Sequence, residues 1–338
     1  MLKLDLKNKK ILTVLDEDPR APLSKIASRV GLSKQVVDYR IKTLLKKGVI
    51  KGFNIHCNLS RLGYSTFGCY LRLRGLTEEK EKQIIDFLVQ HPFTKWVVIC
   101  EGKWDLAFAL AAKNILDFNH KFEEITDMIG DHIEIYDTNI IYTLQNFSLD
   151  LLGTKKYAYY KERPVRQEFS TGEDIIKIDE TDIKILQHLQ INSRASLVEI
   201  TNKINTSADT IRYRLRNLVA RKIITDFNTR INIEALGYNW YQLIIDLRRF
   251  QEADEKKFMT RIKQIPNIHY IVRCMGKWDF EIHLLARSIA ELRRTLIKIR
   301  DLLSEFIISY DIMIMFKKYK STSLPRGVAQ ELIKKARG

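Results

Sequence analysis

An internal repeat constrains this 338-residue sequence more than any other feature. Residues in the second half recur 174 positions after their counterparts in the first half. The matches begin with Asp5 and Asp179 and still hold at Asp137 and Asp311, without a change of register. A constant offset of this kind indicates a tandem duplication, and its period is too long for a solenoid repeat. The matched segments include Ile11-Leu12 with Ile185-Leu186, Arg20-Ala21 with Arg194-Ala195, Tyr39-Arg40 with Tyr213-Arg214, Leu62-Gly63-Tyr64 with Leu236-Gly237-Tyr238, and Gly102-Lys103-Trp104-Asp105 with Gly276-Lys277-Trp278-Asp279.

The first part of each unit has the pattern of three helices. Apolar residues recur at helical spacing in three stripes, and a tight turn with Gly31 separates the second stripe from the third. Helix, helix, tight turn and helix is the order of a helix-turn-helix. Asn205 stands at the matching position and tolerates the same left-handed turn, while Ser33 and Ser207 are placed to cap the third helix. We predict helix-turn-helix domains over residues 1–56 and 175–230.

The remainder of each unit alternates between strand and helix patterns. In the first unit, strands are predicted over 66–74, 96–100, 106–112 and 133–142, and helices over 78–89 and 115–129. The order βαββαβ is the ferredoxin-like arrangement. We predict an α+β chain that also has ferredoxin-like domains over 57–145 and 231–316, a linker over 146–174 with a short strand near 157–160, and a basic tail over 317–338.

The positive charge is concentrated in the three-helix domains. The chain has a net charge of +16, of which residues 1–56 carry +8 and residues 175–230 carry +4. The ferredoxin-like domains carry −4 and +2, the linker is neutral, and the tail carries +6. Because neutralisation of phosphates releases counterions and drives binding, this distribution favours double-stranded DNA as the partner.

The third helix of each three-helix domain is the candidate DNA-recognition helix, called the reading helix from here on. In a helix-turn-helix, the N-terminal part of that helix lies in the major groove. The scaffold positions match between the units, whereas the candidate readers differ, as with Gln35 against Asp209 and Asp38 against Arg212. We therefore expect that the two domains read unequal half-sites, or that one mainly holds the DNA backbone. The expected DNA-contacting residues are Ser33, Lys34, Gln35, Asp38, Tyr39, Arg40 and Lys42, with Ser207, Asp209, Thr210, Arg212, Tyr213, Arg214 and Arg216.

The repeated Gly-Lys-Trp-Asp segment joins two predicted strands in each unit. A hairpin alone explains the segment, since glycine supplies a positive φ, aspartate bonds the backbone and tryptophan covers the sheet. The alternative is a small-molecule site, in which backbone amides hold a carboxylate and the aspartate receives an amine. The spacing leaves both interpretations open.

Taken together, these residues resemble the Lrp/AsnC (feast/famine) family of transcription regulators over both units. The resemblance implies a winged helix-turn-helix and a RAM-type ferredoxin-like domain that assembles dimers and higher oligomers. It also implies effector binding near Gly102, Asp105, Gly276 and Asp279, with an amino acid as the expected ligand. The residues that carry the resemblance are Asp5, Ile11-Leu12, Leu15, Arg20, Ile26-Ala27, Ser33, Val37, Arg40-Ile41, Leu44, Gly48-Val49-Ile50 and Gly102-Lys103-Trp104-Asp105.

One departure from the family is the fusion of two units, since ordinary members are single units that dimerise. We expect one chain to form an intramolecular pseudo-dimer with its two sheets packed face to face, and leave higher homo-oligomers open. A flexible linker of this length, spanning on the order of 5–6 Å × √n, can connect the two units.

Two rival interpretations remain. Sirohaem decarboxylases of haem biosynthesis share this architecture, and His269, Tyr270 and Arg273 lie in the relevant strand, although the first unit lacks matching residues. An architectural DNA-coating protein would use the basic tail. This tail is predicted to be partly helical, over 328–336, and is otherwise expected to be a solvated or disordered end.

Other classes of site are not expected. The cysteines form no Cys-x-x-Cys motif and the histidines show no metal spacing, so neither a disulfide scaffold nor a metal site is predicted. No phosphate loop or nucleophile motif occurs, and we predict no catalytic residue and no cofactor. The longest apolar run, 106–112, is far below the roughly 20 residues of a membrane helix. Without a signal-peptide pattern, a cytoplasmic protein is expected.

Overall fold

The computed structural model describes residues 4–147, 165–172, 175–248, 251–265 and 267–337. The strand expected near 157–160 lies outside the described residues. The first unit contains α1 (Leu6–Glu17), α2 (Leu23–Val30), α3 (Lys34–Lys46), β1 (Ile50–Cys57), β2 (Ser65–Leu73), α4 (Glu78–Gln90), β3 (Thr94–Glu101), β4 (Leu106–Ala112), α5 (Ile115–Ile129) and β5 (Ile133–Asn146).

The second unit repeats these elements, and each of them begins 174 residues after its counterpart. A two-residue strand, β6 (Arg166–Gln167), precedes it. The unit contains α6 (Glu180–Ile191), α7 (Leu197–Ile204), α8 (Ala208–Ala220), β7 (Ile224–Ile231), β8 (Asn239–Leu247), α9 (Glu252–Ile262), β9 (Ile268–Gly276), β10 (Phe280–Ala286), α10 (Ile289–Leu303) and β11 (Ile307–Ser321), and α11 (Arg326–Arg337) follows. The predicted fold class is confirmed.

The two ferredoxin-like sheets join into one closed barrel. In the first unit the strand order is β5-β2-β4-β3, and the second unit has the matching order β11-β8-β10-β9. The edge strand β11 pairs antiparallel with β3, and β5 pairs antiparallel with β9. Within the described residues, the two sheets therefore meet edge to edge as well as face to face, and both edges of each sheet are paired.

The strands alternate between two faces, as the period of two requires. On the outer face, Phe67, Cys69 and Leu71 pack with α4 and α5, as the sequence pattern predicts. The inner face forms a single buried cluster to which both units contribute. Its members are Tyr70, Val98, Cys100, Trp104, Ala107, Ile141, Trp240, Ile244, Val272, Cys274, Trp278, Leu285, Met313 and Met315.

The C-terminal segment is packed rather than solvated, which corrects the interpretation of the tail as a disordered end. The boundary expected at residue 316 falls within β11, which continues to Ser321. Beyond this strand, Val328, Ala329 and Leu332 of α11 are buried in the core of the second three-helix domain. Gly327 lies against Phe93, whose ring atoms would be only 2.7 Å from an added Cβ.

Candidate nucleic-acid interface and effector turns

The three-helix domains, called heads from here on, consist of α1–α3 and α6–α8. The turn before each third helix uses the predicted left-handed residues, with a φ of 66° at Gly31 and 57° at Asn205. Ser33 accepts a hydrogen bond from the Val36 amide, and Ser207 accepts one from the Thr210 amide. Both caps were predicted from the sequence, and they fix where the third helices, α3 and α8, begin.

In the first head, most of the predicted reading residues lie on the surface of α3. Lys34, Gln35 and Lys42 are exposed, and Tyr39 is 71% exposed. Asp38 is half-buried and pairs with Lys42 at 2.7 Å. A phenol so far from the core is free to contact a partner, since tyrosine normally buries much of its ring.

In the second head, α8 presents a different set of side chains. Asp209, Arg212 and Arg216 are exposed, and Tyr213 is 67% exposed. Asp209 forms an ion pair with Arg212, and Thr210 is half-buried. Each head therefore has an exposed tyrosine at the same position of its third helix, whereas the charged residues around this tyrosine differ between the heads.

Arg40 and Arg214 have a structural role that the spacing did not reveal. The Arg40 guanidinium donates to Asp5 at 2.7 Å and to Asn8 at 3.0 Å, at the start of α1. Arg214 donates in the same way to Asp179 and Asp182 at the start of α6. The hydrogen bond from Arg40 lowers the pKa of Asp5. Each arginine thus fixes the reading helix against the first helix of its head.

A groove of about 500 Å³ runs along the second head between α6 and α8. It connects the first turn of α6 with the N-terminal half of α8, where the candidate readers lie. The lining residues are Asp182, Asp209, Thr210, Tyr213, Arg214, Asn217, Leu218 and Arg221.

The two heads are joined directly to each other. Strands β1 and β7 pair antiparallel, with Asn54 opposite Asn228. Arg194 donates to the carbonyl oxygens of Pro19 at 2.5 Å and Ala21 at 3.0 Å, in the first head. Its guanidinium also lies 5.3 Å from the centre of the Phe53 ring. These contacts set the spacing and the relative orientation of the two reading helices.

The aspartates of the two Gly-Lys-Trp-Asp turns bind the backbone of the neighbouring strand. Asp105 accepts from the Leu73 amide at 2.6 Å, and Asp279 accepts from the Leu247 amide at 2.7 Å. Each carboxylate therefore holds the end of a strand, as the hairpin interpretation expects.

The glycines of these turns lie at the junction between the units. Gly102 has a φ of 130°, and an added Cβ would lie 2.8 Å from the Ile312 carbonyl oxygen in β11. Gly276 has a φ of 146° and faces Asn139 of β5, whose side chain accepts from the Lys277 amide at 2.6 Å. The turns thus contact the opposite unit, which the sequence spacing did not show.

Cys100 and Cys274, which share a repeat position, are buried inside the barrel. Burial raises the pKa of both thiols, so they remain protonated. Among the described residues, no group of three or more His, Cys, Asp or Glu side chains is suited to hold a metal ion. In the same part of the chain, every helix is too short or too polar to cross a membrane.

Sequence families match both heads and the second ferredoxin-like domain. Residues 4–51 match winged helix-turn-helix DNA-binding domains, residues 178–219 match the AsnC-type helix-turn-helix domain, and residues 243–325 match the Lrp/AsnC ligand binding domain. The chain therefore carries helix-turn-helix and ligand-binding domains of the Lrp/AsnC type. Members of this family are DNA-binding transcriptional regulators, and this chain carries two such DNA-binding domains.

Curated relatives match about one unit of the chain. The regulator LrpA of Pyrococcus horikoshii is 28% identical over 132 residues, which cover 38% of this chain and 86% of LrpA. The leucine-responsive regulatory protein of Rhizobium meliloti is 28% identical over 116 residues, covering 34% of this chain and 74% of that protein. These relatives have about the length of one unit, which agrees with the interpretation of this chain as a duplicated Lrp/AsnC unit.

Solved structures of a siroheme decarboxylase match the whole duplicated architecture. The siroheme decarboxylase NirDL superposes with a TM-score of 0.62 and covers 98% of this chain and 100% of its own. The sequences are 13% identical, so the likeness is one of fold.

Proposed function

We propose that this Lrp/AsnC chain is a sequence-specific regulator in which a single chain supplies the pair of heads that bind double-stranded DNA. The observation that carries the proposal is the direct connection between the heads through β1, β7 and Arg194. Rigidly spaced reading helices match half-sites at a fixed distance along the duplex. Because both edges of each sheet are paired within the chain, we expect light scattering to give the mass of one chain.

The two heads have chemistry suited to unequal half-sites. Gln35 of the first head can pair with adenine, whereas Arg212 of the second head can pair with guanine. Asp209, beside Arg212, has a carboxylate that disfavours phosphate and accepts from cytosine. We therefore propose an asymmetric operator.

Selection from randomised duplex DNA tests both parts of this proposal. We expect an enriched site with two different halves, bound in the presence of excess non-specific competitor. Gln35→Ala should relax the preference in one half only, and Arg212→Ala in the other half only, each by about 1–3 kcal/mol per base pair. A perfect palindrome would contradict the asymmetry, and the loss of binding in competitor DNA would favour the architectural coating function.

We further propose that an amino acid effector binds beside the Gly-Lys-Trp-Asp turns, and that the first turn is the better site. At the second turn, the Lys277 amide already donates to Asn139. The repeat counterpart of Asn139 is Met313, whose thioether is a weak acceptor. The amide of the first turn that corresponds to the Lys277 amide is therefore better suited than the Lys277 amide to bind a ligand carboxylate.

Thermal shift and calorimetry with single amino acids test the effector proposal. We expect one amino acid to raise the Tm, and Asp105→Asn to abolish that shift while Asp279→Asn retains it. Equal loss in the two variants would contradict the preference for the first turn. If the whole panel produces no shift, the effector proposal fails while the DNA proposal stands.

The decarboxylase alternative rests on fold similarity to NirDL. Tyr270 stacks on His283 with ring centres 3.8 Å apart, and Arg273 forms an ion pair with Glu255 at 2.5 Å. These side chains are therefore engaged with other protein groups rather than directed at an acidic substrate. We expect no shift in tetrapyrrole absorbance when sirohaem is added, and a saturable shift would revive the alternative.

A further inference from the structure

The C-terminal helix α11 is firmly docked on the second head. Gln190 of α6 accepts from the Leu324 amide at 2.6 Å and donates to the Leu324 carbonyl at 3.2 Å. At the far end, Arg337 forms two hydrogen bonds with Glu180, at 2.8 and 2.9 Å. These contacts bring the last turn of α11 beside the first turn of α6.

The first helices of the two heads differ in charge at matching positions. In the first head, α1 begins with Leu6 and carries Lys7, Lys9 and Lys10 in its first five residues. At the same positions α6 has Glu180, Thr181, Ile183 and Lys184, together with Asp182 in place of Asn8. Two lysines are thus replaced by neutral residues, and a leucine and an asparagine are replaced by acidic residues, so the start of this helix is less basic in the second head.

One of these replacements belongs to the packing of α11. Ile183, which stands where the first head has Lys9, is fully buried in the same cluster as Val328 and Leu332. The second head has therefore exchanged a lysine for an apolar residue within the core that receives the C-terminal helix.

Helix α11 places positively charged side chains beside α6, which has fewer of them than α1. Lys334, Lys335 and Arg337 lie in the last turn of α11 and are exposed. The hydrogen bonds from Arg337 lower the pKa of Glu180 to about 2. This carboxylate is therefore ionised at neutral pH, and the charge of Arg337 offsets its charge. The two lysines remain to interact with a partner.

The last turn of α11 also lies near the candidate DNA interface. Glu180 begins α6, and Asp182, two residues later, lines the groove together with Asp209 and Thr210 of α8. The first turn of α6 is therefore adjacent to the N-terminal half of the reading helix, and α11 ends beside that turn.

We propose that Lys334 and Lys335 contact DNA phosphates flanking the half-site of the second head, so that α11 extends the DNA interface of that head. The proposal rests on the DNA-binding function proposed above. In this proposal α11 supplies positive charge beside α6, which has fewer lysines than α1 at the matching positions. Such contacts add affinity without sequence preference.

A salt titration of DNA binding tests this role. In Lys334→Gln/Lys335→Gln we expect the slope of log K against log salt to become shallower by about 2, since each phosphate contact contributes about 0.9. Affinity should fall by the same factor for the selected operator and for unrelated duplexes. The matched control is Lys256→Gln/Lys257→Gln, which removes two adjacent exposed lysines from α9 on the ferredoxin-like domain.

Shortened duplexes locate the contact. When base pairs beyond the second half-site are removed, the unmodified protein should lose affinity and the Lys334→Gln/Lys335→Gln variant should not. A slope equal to that of the control variant, or equal sensitivity to shortening, would overturn the proposal while DNA binding by the unmodified chain stands. If the unmodified chain binds no duplex, the proposed function itself fails. Equal Tm values for the variants establish that folding is intact.

Discussion

The two halves of the barrel have the same strands in the same order but different interiors. The first half has small residues at Gly68, Ala107 and Ala109, where the second half has Gln242, Glu281 and His283. Glu281 and His283 are nonetheless 2% and 4% exposed. In a symmetric dimer of single units, a buried carboxylate would necessarily occur twice within one barrel, and the two charges would repel each other. Fusion of the units permits a carboxylate in one half and a small residue at the matching position of the other half.

The donors around Glu281 come from both units. Tyr70 of the first unit donates to Glu281 through its hydroxyl, and the Trp278 indole donates at 3.1 Å. Burial, with the nearby Glu281 carboxylate, raises the pKa of Tyr70 well above its usual value, so the phenol remains a donor. The repeat counterpart of Tyr70 is Ile244, which has no donor. The buried polar network therefore depends on the asymmetry between the halves.

The largest effect on stability is expected when the same carboxylate is placed in the first half. Ala107→Glu should destabilise the chain by more than about 4 kcal/mol, because the side chain overfills the barrel and its charge is desolvated. We expect loss of the cooperative thermal transition and of soluble protein. Ala107→Val, which adds volume without charge, is the control and should remain folded; equal damage in both variants would assign the effect to packing alone.

Removing the carboxylate from the second half should have the next largest effect. Glu281→Ala leaves the Tyr70 hydroxyl and the Trp278 indole without their acceptor, and we expect a loss of about 3 kcal/mol in the free energy of unfolding. Glu281→Gln keeps an acceptor oxygen and should cost less. Denaturant unfolding of the three proteins measures the difference. Equal stability of Glu281→Ala and the unmodified chain would show that the network contributes nothing.

The sequence predicts the local elements more closely than their partners. Strand 106–112 and helix 115–129 were predicted with the bounds that the structure has, because their apolar patterns are determined within one unit. The last strand was predicted to end at 142 but continues to Asn146, and its last residues pair with β9 of the other unit. A single unit carries no information about that partner strand.

The role of a side chain was likewise predictable only where its partner lies nearby in the sequence. The caps at Ser33 and Ser207 were predictable because the bonded amides lie three residues away. The role of Arg40 was missed because its acceptor, Asp5, lies 35 residues away. Glu281 and His283 did leave a signal in the sequence, since they are the polar residues of the otherwise apolar stretch from Phe280 to Ala286.

The two turn glycines offer a milder test of the junctions between the units. At Gly102 the shortest contact of a methyl group would be with the backbone carbonyl oxygen of Ile312, at 2.8 Å. At Gly276 the shortest contact would be with the side chain of Asn139, and the backbone carbonyl oxygen of Thr138 would lie at 3.1 Å. Both positions also have a positive φ that disfavours alanine. We expect Gly102→Ala to lower the free energy of unfolding by about 2 kcal/mol and Gly276→Ala by less. The reverse order in denaturant unfolding would contradict this difference between the junctions.

The smallest expected effect concerns the buried histidine of the second half. His283 is surrounded by Glu281, the Tyr270 ring and Trp240, which donates to its Nδ1 at 3.0 Å. Burial lowers the pKa of His283 despite the nearby Glu281 carboxylate, and Lys318 acts in the same direction as burial. The folded state therefore favours the neutral ring.

A lowered pKa in the folded state means that the unfolded chain binds the proton more readily. The stability is retained above about pH 6.5, the ordinary value for histidine, and decreases as the pH falls below it. We expect the Tm to fall between pH 7.5 and 5.5 by about 2–4 °C for each kcal/mol lost, and to fall less in His283→Gln. Burial also lowers the pKa of His91, which faces Glu124, Lys121 and Lys320 and remains in that variant. The variant should thus keep part of the pH dependence, and an unchanged dependence would show that His283 does not contribute to it.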